Sequence, residues 1–411
     1  MSTESAFTDI ATAELLAIAQ RFGTPTYVTD ARQIVRRVDA LRKHLGSSVS
    51  RILYAVKANA LPEIIELMGQ HGLGVDVVSP GELTLCERLG IPNDHIFFSA
   101  NNMTADELDF AVSRGVVVNI GELSRLSTYA RRYPGSRVSV RVNTQFGAGH
   151  HSHVITAGDK SKFGIPMSDL GQVEALVSET GLRVVGVHQH IGSGNLDVEP
   201  YRLSLGVLFE AAARFSDLEF VNLGGGLGIP YKPEEEEVSL SELAQVVSDA
   251  YRAFSGSYGR DVALWLEPGR YLVADSGVLL VEVNTVKTSH GHTYVGTNSG
   301  MNHLIRPAMY GSYHEIANLS NPEGEPHVYD VVGNICESSD FFARDRRLPE
   351  ADEGHVLAIM GAGAYGSSMT SEYNLRPAPA EVFVDHSGAA RLVRARETPG
   401  EMVDRIVARR V

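Results

Sequence analysis

Residues 53–59 read Leu53-Tyr54-Ala55-Val56-Lys57-Ala58-Asn59, and a segment with helical spacing, Pro62 to His71, follows at once. The apolar run predicts a buried β-strand that leads directly into a helix. Lys57 ends this run. An ammonium group without a partner is costly to bury, so Lys57 is either a solvated strand end or a lysine of lowered pKa that attacks a carbonyl group. Taken alone, the stretch leaves both interpretations open.

The alternation of apolar runs and helix-length segments continues to about Gly269. Alternating strands and helices imply a parallel sheet, and eight strands over this length favour an α/β fold closed as a (β/α)8 TIM barrel. The runs of strand length are 52–57, 74–79, 95–100, 115–120, 137–142, 183–190, 218–224 and 262–267. We therefore predict a barrel domain at residues 33–274.

The pattern changes after Asp275, where strand-like runs are separated by turn residues rather than by helices. These runs are 277–287, 292–297, 327–332, 355–360, 380–385 and 390–395. They predict a second, mostly β domain built from residues 275–411. We expect the N-terminal residues 1–32 to join it.

Composition restricts the partners and the compartment. The 411 residues carry a formal charge of −14, which argues against nucleic acid and anionic membranes, since both attract basic surfaces. Only Cys86 and Cys336 are present, so no disulfide framework is implied and a reducing cytoplasm fits. The N-terminus lacks the pattern of a signal peptide, and no apolar stretch has the length of a bilayer span. We expect a cytoplasmic protein that acts on a small molecule.

Polar residues gather where the predicted barrel strands end, which is where catalytic residues of such barrels lie. They are Lys57, Asp76, His188, His190, Gly224, Gly225, Gly226, Glu267 and Arg270. The glycines follow the seventh strand, where barrels of this class commonly hold a phosphate through backbone N–H groups. A flexible turn is the simpler explanation for them, and a dinucleotide fingerprint fails because Ile229 replaces its third glycine.

A reactive lysine and a phosphate cradle at one barrel mouth suggest pyridoxal phosphate. This cofactor needs an acid beside its ring nitrogen, and Glu267 offers a carboxylate there. The flat imidazole of His190 is suited to stacking on the ring, and Ser193 follows the sixth strand with further donors. An isolated histidine more often has a structural role, but His190 shares this mouth with the other groups.

The motifs resemble those of the fold-type III, alanine-racemase-like pyridoxal-phosphate decarboxylases. In the barrel these are 54–59, His190-Ile191-Gly192-Ser193-Gly194, the glycine run and Glu267-Pro268-Gly269-Arg270. In the second domain, Met301-Asn302, Arg306 to Tyr310, Cys336-Glu337-Ser338-Ser339-Asp340 and Ala362 to Gly366 are similar to the meso-diaminopimelate decarboxylases of that family. The resemblance covers nearly the whole chain.

The resemblance implies a role for each matching residue. Lys57 would carry the cofactor, and His190 and Glu267 would contact its ring. The cofactor site would also include Asp76, Ser193, Gly224, Gly225, Gly226, Gly269, Arg270 and Tyr365. The substrate would meet Arg270, Arg306, Tyr310, Glu337 and Tyr365. Cys336 or Lys57 would return a proton to the α-carbon, and Cys336 and Glu337 would serve the neighbouring subunit of a homodimer.

Several alternatives stay open at this point. Related decarboxylases act on ornithine, lysine of either hand or carboxynorspermidine. A metal-dependent hydrolase would use His188 and His190 as ligands, although the motifs as a set predict no metal. A non-catalytic protein that binds pyridoxal phosphate is a third. Cys336 is either an inert buried thiol or a catalytic one. The loop 147–162, with His150, His151 and His153, is a further place for differences in substrate preference or closure, and its histidines are interpreted as loop residues rather than as a metal site.

Overall fold

The structure is a computed structural model that describes residues 8, 10–147, 158 and 161–410. The three histidines of the predicted loop, His150, His151 and His153, lie outside the described residues. The rest forms two compact units. The barrel unit is Val38–Ile229 with Glu236–Tyr271, and the β unit is Met1–Arg37, Pro230–Glu235 and Leu272–Val411, each in its described part.

The barrel unit confirms the predicted (β/α)8 barrel. Its eight strands, which we number in chain order, are Arg51–Ala55, Gly74–Val77, Ile96–Phe98, Val117–Ile120, Arg137–Asn143, Arg183–His188, Phe220–Asn222 and Ala263–Leu266. Each pairs in parallel with the next, and the eighth pairs with the first, Trp265 opposite Arg51 and Leu266 opposite Ile52. The barrel is therefore closed. All eight predicted strands occur, with ends that differ by up to a few residues.

Helices separate most of these strands, as the sequence predicts. Their bounds are Ala31–Leu45, Pro62–Gln70, Pro80–Arg88, Ala105–Ser113, Leu123–Arg132, Leu170–Thr180, Glu199–Ala212, Leu240–Tyr258 and the short Arg270–Val273. A two-residue strand, Ile165–Pro166, pairs with the end of the fifth barrel strand.

Large apolar side chains fill the barrel interior. Leu53, Phe97 and Phe220 are buried there, and the rings of Phe220 and Trp265 stack with their centroids 3.6 Å apart. Gly186 faces this stack, since a Cβ atom at that position would lie 2.2 Å from the Phe220 ring. The interior is therefore a packed core, and chemistry is confined to the ends of the strands.

The β unit confirms the prediction of a second, mostly β domain. Its strands are Thr26–Asp30, Gly277–Ser289, His292–Thr297, Ile316–Asn318, Pro326–Val332, Phe341–Pro349, Val356–Ile359, Ala380–Val384 and Ala390–Arg394. Its helices are Thr12–Phe22, Arg306–Tyr310 and Pro399–Ala408. Thr26–Asp30 lies between Gly277–Ser289, with which it is antiparallel, and Ala380–Val384, with which it is parallel.

The sheet of the β unit is buried on both faces along residues 277–281 of the strand Gly277–Ser289. Leu279 and Val281 belong to one apolar cluster, whereas Val278 and Leu280 belong to another that includes the helix Thr12–Phe22. Alternate residues of a strand point to opposite faces, so this strand contributes to two cores.

No helix in the described part of the chain is long and apolar enough to cross a membrane.

Candidate active site

Lys57 lies just beyond the first barrel strand and is paired with an acid. The strand ends at Ala55, and Val56–Ala58 forms a 3-10 turn, so the predicted strand 52–57 ends two residues before Lys57. The turn brings the Lys57 Nζ atom to 2.5 Å from Oδ2 of Asp76, which is buried. Burial raises the pKa of Asp76 to about 7, and Lys57 opposes that shift. A third of the Lys57 side chain is accessible, so it is paired and reachable, not a solvated strand end.

Glu267 follows the eighth strand, and both of its oxygens are bonded within the barrel. Oε1 accepts a hydrogen bond of 2.7 Å from Nδ2 of Asn222, and Oε2 lies 3.0 Å from Nε2 of His188. Burial raises the pKa of Glu267, but His188, Lys57 and Asn222 outweigh it, so the net shift is downward. Glu267 is an ionised carboxylate in a buried setting, as a partner for a protonated ring nitrogen requires.

His190 is a neutral imidazole held against the glycine run. Its Nδ1 atom accepts a hydrogen bond of 3.1 Å from the backbone N–H of Gly225. Burial, reinforced by the charges of Lys57 and Arg141, holds the pKa of His190 well below its ordinary value. Both ring nitrogens of His188 are engaged by Asn119 and Glu267. This arrangement leaves the rival metal-site interpretation of the two histidines without geometric support.

The glycine run places bare backbone beside polar side chains. Gly224 and Gly226 have φ values of 73° and 121°, a region in which other residues are strained. A Cβ atom on Gly226 would lie 2.9 Å from the hydroxyl of Tyr201 and 3.0 Å from Nδ2 of Asn195. Only glycine fits here, and the run is therefore a shaped loop rather than a flexible turn.

Arg270 and Ser193 form a second polar pair at the strand ends. The Nε and Nη2 atoms of Arg270 donate hydrogen bonds of 3.1 and 3.0 Å to Oγ of Ser193. The arginine is buried, so its charge is positioned rather than solvated. Gly269, which precedes it, packs against Ala55 and Ala58, where a Cβ atom would lie 3.1 Å from each methyl group.

Arg141, on the fifth strand, is a charged residue of this site that the sequence interpretation missed. It is buried, its Nη1 donates to Oδ1 of Asn101 over 3.3 Å, and its guanidinium lies 4.7 Å from the ring centre of Phe163. Burial lowers its pKa to about 10, so it stays charged at neutral pH. The signal was present: Arg137, Ser139, Arg141 and Asn143 alternate with valines along one strand.

The β unit contains a second cationic centre. Arg306 begins the helix Arg306–Tyr310 and is almost wholly buried. Its Nη1 atom lies 2.9 Å from Nε2 of His314, and its guanidinium lies 4.5 Å from the ring centre of Tyr231. Because Nδ1 of His314 faces the carbonyl oxygen of Met360, which only accepts, Nε2 accepts from the arginine. Arg306 is thus a fixed charge suited to a carboxylate.

Cys336 and Glu337 lie on an exposed segment of the β unit. The backbone N–H of Cys336 donates to Oδ1 of Asn374 over 3.1 Å, and the hydroxyl of Tyr373 donates to Oε1 of Glu337 over 2.5 Å. Cys336 is exposed in the described chain, so the interpretation as an inert buried thiol was wrong. These hydrogen bonds anchor the backbone of Cys336 and the carboxylate of Glu337.

Tyr310 and Tyr365 also belong to the β unit, and both are partly buried. Tyr310 is the last residue of the short helix that begins with Arg306. Tyr365 has a φ of 55°, which is unusual for an aromatic residue and fixes the direction of its side chain. Their predicted contacts with cofactor and substrate remain predictions.

Comparison with known proteins places this geometry in a family. Residues 31–274 match the model for the pyridoxal-binding domain of pyridoxal-dependent decarboxylases. Over 401 residues the chain is 43% identical to the diaminopimelate decarboxylase of Methanothermobacter thermautotrophicus, covering 95% of this chain and 93% of that protein. The chain belongs to the diaminopimelate decarboxylase family. Members of that family are pyridoxal-phosphate-dependent carboxy-lyases, and the resemblance seen in the motifs is confirmed.

Solved structures of the diaminopimelate decarboxylase family agree with the fold. A crystal structure of a diaminopimelate decarboxylase superposes with a TM-score of 0.92 at 35% identity, covering 99% of both chains. The Helicobacter pylori enzyme, solved in complex with L-lysine, superposes with a TM-score of 0.88 at 32% identity over 96% of this chain and 99% of that one. The barrel and the β unit are thus those of this family.

The barrel residues fit pyridoxal phosphate, the cofactor of the diaminopimelate decarboxylase family. Lys57 supplies the amine, and Glu267 supplies an ionised carboxylate. At Gly226 the absence of a side chain lets the backbone pack against Tyr201 and Asn195, as a tightly shaped cradle requires. Oδ1 of Asp76 is buried without a hydrogen-bond partner among the described residues, which is typical of a site built for a further group.

Proposed function

We propose that this chain removes one carboxylate of meso-2,6-diaminopimelate as carbon dioxide and releases L-lysine, a step of lysine biosynthesis. The assignment of this substrate rests on the buried guanidinium of Arg306, which contacts His314 and Tyr231. The far end of diaminopimelate carries both a carboxylate and an ammonium group. Arg306 complements the first charge and Glu337 the second.

Other amino acids satisfy these groups less well. Ornithine, lysine of either hand and carboxynorspermidine have no carboxylate at the far end of the molecule. A buried guanidinium without an anion is costly, so Arg306 would disfavour them. They remain the alternative substrates, whereas a metal-dependent hydrolase or a non-catalytic protein leaves the pairing of Lys57, Glu267 and the glycine run unexplained.

Pyridoxal phosphate, when bound, supplies an aldehyde for the amino group and a ring that accepts the electron pair left by carbon dioxide. The protein residues prepare this chemistry. Nζ of Lys57 donates to Oδ2 of Asp76, and this amine would hold the cofactor. Glu267 would keep the ring nitrogen protonated, and neutral His190 would lie against the ring.

The remaining residues bind anions and move a proton. The glycine run Gly224, Gly225 and Gly226, with Ser193, Gly269, Arg270 and Tyr365, would hold the phosphate and its surroundings. Because the N–H groups of Gly224 and Gly225 donate to Asn222 and His190, the direct backbone donor of the run would be the N–H of Gly226. Arg270, Tyr310 and Tyr365 orient the substrate with Arg306 and Glu337. The proton that replaces carbon dioxide on the α-carbon comes from the thiol of Cys336 or from Nζ of Lys57.

We extend the proposal to assembly and location. The exposure of Cys336 suits a homodimer in which Cys336 and Glu337 of one subunit complete the active site of the other. The family-model match at residues 31–274 supports domain boundaries at 33–274 for the barrel, with 1–32 and 275–411 in the β domain. The cytoplasm is the proposed compartment, in line with the free cysteines.

The test is release of carbon dioxide from meso-diaminopimelate, D- and L-lysine, L-ornithine and carboxynorspermidine, with and without added cofactor. We expect turnover of diaminopimelate alone, and turnover of another substrate in its place would overturn the assignment. Lys57→Ala should abolish both activity and the visible absorbance of bound cofactor, because no other amine is proposed to hold it. Lys43→Ala, at an exposed helical lysine, is the matched control.

A further inference from the structure

A buried chain of hydrogen bonds runs from the third barrel strand to Glu267. Nδ2 of Asn119 donates to Oγ of Ser99 and to Nδ1 of His188, at 2.9 Å each. The other ring nitrogen of His188 lies 3.0 Å from Oε2 of Glu267. Each of these residues is buried, and His188 is only 1% exposed. The proposed function leaves His188 and Asn119 without a role.

The chain fixes the tautomer of His188. An amide nitrogen can only donate, so Nδ1 of His188 accepts from Asn119. Burial lowers the pKa of His188, which keeps the ring neutral with a single N–H. That N–H is then on Nε2 and donates to Glu267. The carboxylate receives one neutral donor on each oxygen, because Asn222 donates to Oε1.

A neutral donor and a charged one have different consequences for Glu267. An imidazolium at position 188 would neutralise the carboxylate and weaken its hold on a proton bound nearby. A neutral N–H leaves the full negative charge on Glu267 while offsetting the cost of burying it. The charged groups that act on this pair are Lys57, Arg141, Asp76 and, when protonated, His190.

We propose that His188 is a positioning residue that acts through Glu267, and that its neutral Nε2–H keeps the ring nitrogen of bound pyridoxal phosphate protonated. Asn119 sets this tautomer from the far side of the imidazole. The inference rests on the proposed function, since it takes Glu267 as the partner of the ring nitrogen. It adds two residues that do not touch the reacting atoms.

The test measures the ring nitrogen directly. Holoenzyme is loaded with cofactor labelled with nitrogen-15 in the ring, and its chemical shift is followed against pH without substrate. In His188→Phe, Glu267 loses one of its two donors and becomes more basic, so it should compete better for the proton it shares with the ring nitrogen. The ratio of ring-bound to Glu267-bound proton should fall about tenfold, which moves the nitrogen-15 signal towards its unprotonated position across the pH range. His188→Gln retains an N–H donor and should stay close to wild type. His71→Phe, outside the barrel mouth, is the control.

Three outcomes would overturn the proposal: no shift in His188→Phe, an equal shift in His188→Phe and His188→Gln, or a loss of thermal stability with an unchanged titration. Should His188→Phe fail to fold, Asn119→Leu removes the group that fixes the tautomer. It should shift the titration in the same direction, and an unchanged titration would contradict the proposal. Failure of the proposed function looks different, since wild-type enzyme would then release no carbon dioxide from diaminopimelate.

Discussion

Arg306 and His314 form a buried pair in which the imidazole accepts: Nη1 lies 2.9 Å from Nε2, and Nδ1 lies 2.8 Å from the carbonyl oxygen of Met360. His314 is wholly buried, so no water replaces it. His314→Phe should therefore leave an N–H of Arg306 without its acceptor, at a cost of about 1–3 kcal/mol. We expect the KM for diaminopimelate to rise roughly tenfold, with a smaller change in kcat. His327→Phe, at an exposed position, should change neither, and an unchanged KM in His314→Phe would refute this role.

Gly225→Ala should weaken cofactor binding. A Cβ atom there would lie 2.3 Å from the carbonyl oxygen of Glu267, so the loop must move. We expect the Kd for pyridoxal phosphate to rise at least about tenfold, equivalent to about 1.4 kcal/mol, measured by absorbance titration. Gly206→Ala is the matched control, because nothing lies within 4 Å of its Cβ position. Equal affinities in the two variants would show that the close approach at Gly225 does not matter.

His303 should make stability depend on pH in the acid range. Its Nε2 donates to the carbonyl oxygen of Pro377 and its Nδ1 accepts from Ser299, while burial lowers its pKa to about 4. Unfolded histidine binds a proton near pH 6.5, so between pH 6.5 and 4 the unfolded chain holds more protons than the folded one. The stability that neutral His303 contributes is therefore complete above pH 6.5 and is lost as the pH falls through this window.

Urea unfolding of wild type and His303→Gln near pH 7.5 and pH 5 measures this loss. The stability of wild type relative to the variant should decrease by about 2 kcal/mol between the two conditions, since each unit of pKa shift corresponds to about 1.4 kcal/mol. A constant difference across this range would mean that His303 does not resist protonation in the folded state.

Asp340 should stabilise the segment that leads to Cys336. Its carboxylate oxygens accept short hydrogen bonds from the backbone N–H groups of Met301, at 2.6 Å, and Ile335, at 2.7 Å. An asparagine at position 340 would place an NH2 group where one carboxylate oxygen now accepts, so that two donors would face each other. We expect Asp340→Asn to lower the free energy of unfolding by about 1–3 kcal/mol. Asp352→Asn, at an exposed loop position, should be nearly neutral, and a similar loss in both would argue against these bonds.

Residues with a strong chemical signature were predictable, and their supporting residues were not. Lys57 and Glu267 were predictable because a charged residue at the end of an apolar strand is costly to bury and therefore indicates a functional role. Asn119 and Asn222 also lie close to or at the ends of barrel strands, but uncharged amides there are common and do not indicate a functional role. Their roles depend on which strands become neighbours across the closed barrel, and this is a property of the tertiary fold.

Local geometry produced the other differences between sequence and structure. The strand pattern continues through Val56 and Lys57, but the backbone turns at Ala55, since the 3-10 turn aims Lys57 at Asp76. The strand Phe341–Pro349 was missed because Arg344, Asp345, Arg346 and Arg347 break its apolar pattern. Tertiary pairing with Pro326–Val332 outweighs this weak local preference.

The placement of Thr26–Asp30 determines when the β unit can be completed. This strand is made before the barrel strands, yet its neighbours in the sheet are Gly277–Ser289 and Ala380–Val384. During synthesis, the backbone groups of Thr26–Asp30 therefore stay unpaired until the whole barrel has been synthesised. Pairing over such a separation is slow, and an unpaired strand edge is a site for aggregation. Nascent chains halted between residues 271 and 380 should therefore contain a complete barrel and an incomplete β sheet with an open edge. We expect chaperones to bind the nascent chain most strongly at this stage.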